Sequence, residues 1–318
     1  MRDDLAIDAT ALEKSYGEVR VLDGVDLRVP AGSVFALLGP NGAGKTTAVR
    51  ILATLIAPDG GTATVAGHDV VAGRRGVRRA ISLTGQYAAV DELQTGGENL
   101  RMMGRLAGLS RAEARARARD LLARFDLVDA GDRRVGTYSG GMRRRLDLAA
   151  SLVTRPAVLF LDEPTTGLDP RSRSAMWEVI RELVDAGVTV FLTTQYLEEA
   201  DGLADRIAVI DGGRIVAEGT AAQLKRMIAG PRVDLTPAGP GAFAEMAELL
   251  GERVTTRDAD ALVLGVPTDG SAADVRALLD EVDPHGDRLA SFAIHDATLD
   301  DVFLALTGHT TPEETCHV

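Results

Sequence analysis

Between Val34 and Ile56 the chain reads as an apolar run, VFALL, then a glycine-rich stretch, GPNGAGKTT, then apolar residues at helical spacing in AVRILATLI. A short apolar run bounded by turn residues predicts a buried strand, and the period that follows predicts a helix. The stretch is therefore a strand, a loop and a helix. Upstream, from Leu5 to Val29, short alternating runs such as VRVLDGVDLRV predict antiparallel strands broken by a turn at Gly17 and another near Asp23 and Gly24.

Downstream, PDGGTATVAGHDV predicts turn, strand and turn, and RRAISLTGQ a short strand ending at Gln86. The texture then changes. Thr95 with Glu98, and Ser110 with Glu113, fit capping boxes followed by helical spacing, so a helical insertion is expected from about Thr95 to Phe125. In TYSGGMRRRLDLAASLVTRP, Met142, Leu146, Ala149, Ala150 and Val153 follow the helical period from a start at Ser139, Gly140 and Gly141 to a stop at Pro156. AVLFLDEPTTGLDP is a continuous apolar run ending in two carboxylates, the pattern of a central parallel strand buried on both faces. A helix around Arg171 to Asp185, a buried strand VTVFLTT ending at Gln195, a helix in LEEADGLADR and a hairpin turning at Asp211, Gly212 and Gly213 complete this half.

Beyond Met227 the segments GPR and PAGPG lead into a small α/β pattern running to about Gly308. Ser271 with Asp274 and Thr298 with Asp301 mark helix starts, and DALVLGV and LASFAIHD read as strands. The expected division is 1–229 for the first domain, 230–308 for a small second α/β domain, and a disordered tail at 309–318.

With 318 residues, about two domains are the prior. No apolar run approaches the ~20 residues that span a bilayer, and the opening MRDDLAID is acidic where a secretory signal is basic and then apolar. A cytoplasmic protein is expected. The one cysteine, Cys316, excludes an intrachain disulfide. A formal net charge of -12 opposes general nucleic-acid binding. The same charge favours a solvated surface for Arg111, Arg115, Arg117, Arg119 and Arg124 over a nucleic-acid patch.

The candidate chemistry starts at the glycine-rich loop. Gly39, Gly42 and Gly44 let successive backbone N–H groups converge on an anion, Lys45 reaches terminal phosphates, and Thr46 opens the helix where its hydroxyl can ligand Mg²⁺. The expected ligand is Mg-ATP or Mg-GTP. Ser139, Gly140 and Gly141 offer a second phosphate contact, or only a helix cap. Asp162 is placed to hold Mg²⁺ through its water shell and Glu163 to accept a proton from an attacking water. The other reading, a helix N-cap, is disfavoured by Pro164 and by the solvent-free run before it. Tyr16 is either a stacking platform for a purine or an ordinary strand tyrosine. The second domain offers no chemical constellation, His295 included.

Taken jointly, these pieces resemble the ATP-binding-cassette ATPases. The loop from Gly39 through Pro40, Asn41, Gly42, Ala43, Gly44, Lys45 and Thr46 to Thr47 is similar to the Walker A loop, and Gln86 to the Q-loop glutamine. YSGGM is similar to the signature, VLFLDE to the Walker B strand, Gly167 to Asp169 to the D-loop, and Tyr16 to the A-loop aromatic. The resemblance implies a parallel core sheet, an antiparallel β subdomain and a helical subdomain at about 87–138. It implies ATP sandwiched between Walker A of one subunit and the signature of another, with Gln86 linking Mg²⁺ and the γ-phosphate to a membrane partner. Tyr138 and Met142 depart from the usual leucine and glutamine of the signature, and Gln195 stands where the family has a switch histidine.

The phrases TTQYLEEADGLADRIAVID and ATLDDVFLALTGH resemble the daunorubicin-resistance branch of drug-exporter ATPases. That implies a peripheral ATPase on the inner face of the membrane, paired with a copy of itself or a similar cassette and serving a separate membrane-spanning permease. An importer cassette, or a soluble cassette ATPase uncoupled from transport, are the alternatives.

Overall fold

The computed structural model describes residues 4–85, 90–228, 231–295 and 298–307. Gln86 lies outside the described residues, as do Cys316 and the tail expected at 309–318. The chain forms two compact units, Met1–Thr220 and Ala221–Val318.

The first unit runs β1 (Leu5–Tyr16), β2 (Val19–Pro30), β3 (Val34–Leu38), α1 (Lys45–Leu52), β4 (Gly60–Val65), β5 (His68–Asp69), α2 (Arg74–Ala80) and β6 (Ile81–Thr84). It continues with α3 (Gly96–Leu106), α4 (Arg111–Arg124), α5 (Gly140–Ser151), β7 (Val158–Asp162), α6 (Pro170–Asp185), β8 (Thr189–Thr194), α7 (Leu197–Leu203), β9 (Arg206–Asp211) and β10 (Arg214–Gly219). The sheet that carries the site has the order β10-β9-β3-β8-β7-β6, parallel throughout except for β10. Its central strands β3, β7, β8 and β9 are buried nearly end to end without alternation, as strands covered on both faces are. All of β3 is buried, and Phe35 stacks on Phe191 with ring centroids 5.6 Å apart. Each such ring contributes roughly 1.5–3 kcal/mol by leaving water.

A second, antiparallel sheet has the order β2-β1-β4-β5, and its inner residues, among them Ile7, Leu12, Leu22 and Leu27, share one core with α1, Phe35 and Phe160. The turn at Gly17 is present, but the one expected near Asp23 and Gly24 is not. β2 runs straight through, and the pairing steps from Leu12↔Val25 to Glu13↔Asp23, leaving Gly24 as a bulge at φ 73°. Pairing with β1 over its whole length outweighs the local turn signal.

Both capping boxes form. Thr95 and Ser110 accept from the N–H groups of Glu98 and Glu113 and receive their carboxylates in return. α3 and α4 pack on each other and on α5. Arg117 is not purely solvated, since it donates to the Leu152 carbonyl at 2.6 Å and ties α4 to the end of α5.

The second unit comprises α8 (Ala221–Ile228), β11 (Arg232–Pro237), α9 (Pro240–Leu250), β12 (Thr256–Asp258), β13 (Val263–Pro267), α10 (Ala272–Val282), β14 (Leu289–His295) and α11 (Leu299–Thr307). Its sheet has the order β12-β13-β11-β14, with a core that includes Val233, Leu235, Phe243, Leu264 and Leu278. Within this unit α8 packs against α11.

Candidate functional site

Strand register gathers the loops. Leu38 of β3 lies beside Thr194 of β8, Thr193 beside Asp162 of β7, and Leu161 beside Thr84 of β6. The glycine-rich loop, Gln195, Glu163 and Gly85 therefore leave one edge of the sheet, the carboxyl edge where open α/β sheets bind ligands.

Gly44 enters α1 at φ 109°, and a Cβ there would lie 2.8 Å from the Val21 carbonyl oxygen and from Leu22 Cδ2. Only glycine fits. No side chain caps the α1 N-terminus, whereas Thr95, Ser110, Ser139 and Asp169 cap α3, α4, α5 and α6. Its N–H groups and positive dipole end suit an anion. Lys45, the first residue of α1, is buried, and its ammonium donates to the carbonyls of Gly39 at 2.7 Å and Pro40 at 3.0 Å. Burial pulls the Lys45 pKa down, while Glu163 and Asp162 pull it back up.

Thr46 is exposed, and its hydroxyl stands 3.3 Å from Oδ2 of Asp162. The Thr193 hydroxyl donates to Oδ1 of the same carboxylate at 2.5 Å. A hydroxyl beside a carboxylate is an oxygen-only donor pair, which fits a hard cation such as Mg²⁺ that takes its other ligands from water and phosphate. Among the described residues no group of three or more His, Cys, Asp or Glu could hold a metal, so a closed all-protein cage of a softer metal has no counterpart here.

Glu163 sits in the left-handed region, φ 49°, where non-glycine residues are uncommon. Its N–H donates to the Thr193 carbonyl at 3.1 Å, and Oε2 accepts from the Thr166 hydroxyl at 3.4 Å. It caps no helix. α6 is capped by Asp169, which accepts from Ser172 N at 2.9 Å and the Ser172 hydroxyl at 2.6 Å. These bonds hold the Asp169 carboxyl below its ordinary pKa. Gln195 is half-buried directly after β8.

Ser139, Gly140, Gly141 and Asp169 form a second group. Ser139 caps α5 by accepting from Met142 N at 3.2 Å. A Cβ on Gly141 would meet the Ser172 hydroxyl at 2.8 Å, whereas one on Gly140 would meet nothing within 4 Å. Tyr138 is buried, and its hydroxyl donates to the Ala130 carbonyl at 2.6 Å, which satisfies the polar atom that leucine lacks. Tyr16 ends β1 with 48% of its surface exposed and Lys14 Nζ 5.7 Å from its ring centre.

Residues 22–166 match the family model described as ABC transporter. Over 307 residues the chain is 55% identical to the daunorubicin/doxorubicin resistance ATP-binding protein DrrA of Streptomyces peucetius, covering 96% of this chain and 93% of that one. The chain belongs to the ABC transporter family. It is an ATP-binding ABC ATPase. Its similarity extends to the Nod factor export ATP-binding protein I of Burkholderia thailandensis, 39% identical over 95% of this chain and 97% of that one. Among solved structures, an ATP-binding subunit of an ABC transporter aligns with a TM-score of 0.63 and 29% identity, over 70% of this chain and 92% of that one.

In this ABC ATPase three further residues support the site. Thr193 fixes Asp162. Arg144 of α5 donates to the carbonyls of Gly85 and Pro164, at 2.9 and 2.8 Å. Glu199 of α7, fully buried, accepts from the Thr165 hydroxyl at 3.0 Å. For Arg144 the available sequence signal is its spacing to Asp147, Leu148 and Ser151, which places it on the buried stripe of α5. For Thr193 the signal is a polar pair closing an otherwise apolar strand.

Proposed function

We propose that this ABC ATPase is the Mg-ATP-hydrolysing subunit of an exporter of a hydrophobic, drug-like metabolite, bound peripherally to the inner face of the membrane and serving a separate permease. Two chains, or this chain and a similar cassette, close on two nucleotides. No helix among the described residues is long and apolar enough to cross a membrane; the separate permease is what the likeness to exporter ATP-binding proteins implies. The observation that carries the reading is the bracketed Asp162 beside Glu163, on the same sheet edge as the buried Lys45. The cargo class rests on the 55% identity to a protein named for drug resistance.

The roles follow from the chemistry. The loop Gly39–Thr47 and Lys45 hold the β- and γ-phosphates by N–H donors and a point charge. Thr46 and Asp162, with Gln86, hold Mg²⁺, which when bound neutralises the phosphate charge that develops. Glu163 orients the attacking water and takes its proton. Gln195 donates its amide N–H to the γ-phosphate, and Tyr16 stacks on the base. Ser139, Gly140, Gly141 and Asp169 of one chain close on the nucleotide of the other. A glycine at 140, with open space around it in its own chain, suits a contact made to a neighbour's phosphates.

The test is transport of an anthracycline into inverted vesicles containing this chain and a candidate membrane-spanning permease, with Glu163→Gln as control. Glu163→Gln is expected to bind ATP, lock two chains together and slow hydrolysis by ~10²–10⁴-fold. ATP-driven uptake in the wild type and none in Glu163→Gln supports the reading. Hydrolysis without uptake of any hydrophobic cation tried overturns the export assignment.

A further inference from the structure

Arg144 lies one turn into α5, the helix opened by Ser139, Gly140 and Gly141. Its side chain is only 12% exposed, yet its guanidinium reaches two separate loops. Nε donates to the Pro164 carbonyl at 2.8 Å, Nη2 to the Glu163 carbonyl at 3.5 Å and Nη1 to the Gly85 carbonyl at 2.9 Å. Gly85 directly precedes Gln86, and Glu163 and Pro164 directly follow β7. The flanking arginines on the same helix do something else, since Arg143 pairs with Glu92 at 2.9 Å and Arg145 with Asp126 at 3.4 Å.

Glu163 needs such an anchor. A left-handed glutamate persists only where its surroundings over-determine it. Its N–H is held by the Thr193 carbonyl from β8, and its C=O accepts from the Thr166 N–H at 3.4 Å as well as from Arg144 of α5, which also holds the next carbonyl, that of Pro164. The negative charges near Arg144 come from Asp147 on its own helix, Glu199 on α7 and Asp162 on β7. They offset its lost hydration, and would do the same for a lysine. What a lysine cannot supply is a planar fork with donors aimed at carbonyls on two loops at once.

We propose that Arg144 is a positioning residue that joins the signature helix of a chain to that chain's own Glu163 and to the entry of its Gln86 loop. When Ser139 to Gly141 engage the nucleotide of the opposite subunit, α5 carries that engagement through Arg144 to the base of its own site, so the two ATP sites of a pair are coupled. The coupling rests on the two-chain closure proposed above; the anchoring of Glu163 within one chain does not.

The experiment compares full-length wild type, Arg144→Lys and Asp147→Asn for kcat, KM and melting temperature, with affinity read from a fluorescent ATP analogue. Mg-ATP-driven pairing is compared by light scattering in Glu163→Gln and in Glu163→Gln/Arg144→Lys. Arg144→Lys is expected to lower kcat by up to about 10²-fold, the scale of a misplaced reacting group, with analogue affinity and melting temperature little changed. Pairing in the double variant should match Glu163→Gln. Asp147→Asn, which removes the 3.6 Å ion pair and leaves the carbonyl bonds, should keep its kcat. Wild-type kcat in Arg144→Lys overturns the proposal, as does an equal kcat loss in Asp147→Asn, which makes the role one of charge balance. Loss of pairing in the double variant alone overturns the coupling. If Glu163→Gln itself stays monomeric with permease present, the two-chain reading and the coupling fall together, and the kcat of Arg144→Lys still decides the anchoring.

Discussion

The hydroxyl of Thr193 donates to Oδ1 of Asp162 at 2.5 Å across the paired strands β8 and β7, while the Thr46 hydroxyl of α1 approaches Oδ2 at 3.3 Å. One carboxylate is thus fixed by residues from two other elements, and its oxygens keep their place beside the glycine-rich loop. A metal-binding carboxylate oriented in this way owes part of its affinity to the partner behind it.

Thr193→Val keeps the β-branched shape and removes that donor. The free Mg²⁺ concentration for half-maximal hydrolysis is expected to rise about 10- to 100-fold, the scale of losing such an outer partner. The check is ATPase rate against free Mg²⁺ at saturating nucleotide, and an unmoved midpoint sinks the assignment of Asp162 as the group that holds the metal.

The two glycines that open α5 should part company. In Gly141→Ala the new methyl meets the Ser172 hydroxyl at 2.8 Å, and that hydroxyl is already held by Asp169, so the start of α6 must shift. In Gly140→Ala nothing lies within 4 Å, and a helix gains from alanine. Gly141→Ala is therefore expected to melt earlier than the wild type and Gly140→Ala no earlier. Both should lose ATP-driven pairing and turnover. Calorimetry together with ATPase rates checks this, and full activity in Gly140→Ala would argue that no second chain's nucleotide is read there.

Much of the site was legible because its signals are local. A phosphate loop must be rich in glycine, and a capping box places its partners three residues apart, so Gly39 to Thr46 and Thr95 to Glu98 could be read directly. Thr193 could not be, because its tie to Asp162 depends on the register between β7 and β8. For Arg144, which stands between two other arginines, helical spacing could place it on the buried stripe of α5, but not name the Gly85 and Pro164 carbonyls it reaches, since those depend on the loops packed over it. The left-handed backbone of Glu163 carried no residue-type signal, since glutamate is not a residue that favours it. At Gly24 the local signal misled, because strand pairing turned an expected turn into a bulge.

Glu199 sets a pH signature on stability. It is fully buried, and burial pushes its carboxyl above the ordinary range against the pull of its hydrogen-bond partners and Arg173. Between the ordinary glutamate value of ~4.3 and the raised one, the folded chain holds more protons than the unfolded chain, so stability falls as pH rises through that window. Glu199→Gln can still accept from Thr165 and cannot ionise. Its urea midpoint relative to wild type should improve steadily as pH rises above the ordinary glutamate value, and a difference that stays constant with pH contradicts the shift.

Gln195 follows Thr194, the β8 residue that lies beside Leu38 at the mouth of the glycine-rich loop. In the proposed mechanism its amide is an uncharged N–H donor to the γ-phosphate, at the position where related cassettes carry a histidine. A histidine with an ordinary pKa of ~6.5 changes charge near neutrality, and an amide does not. The wild type should therefore show no inflection from this position near neutral pH. Gln195→Ala removes a preorganised donor and should slow hydrolysis by ~10²–10³-fold. Gln195→His keeps a donor, so it should retain substantial activity and acquire an inflection near the imidazole pKa. ATPase rates of both variants across about two pH units either side of that ~6.5 midpoint decide the matter. Full activity in Gln195→Ala means that the residue only packs the end of β8, and an inactive Gln195→His rejects a donor role shared by the two side chains.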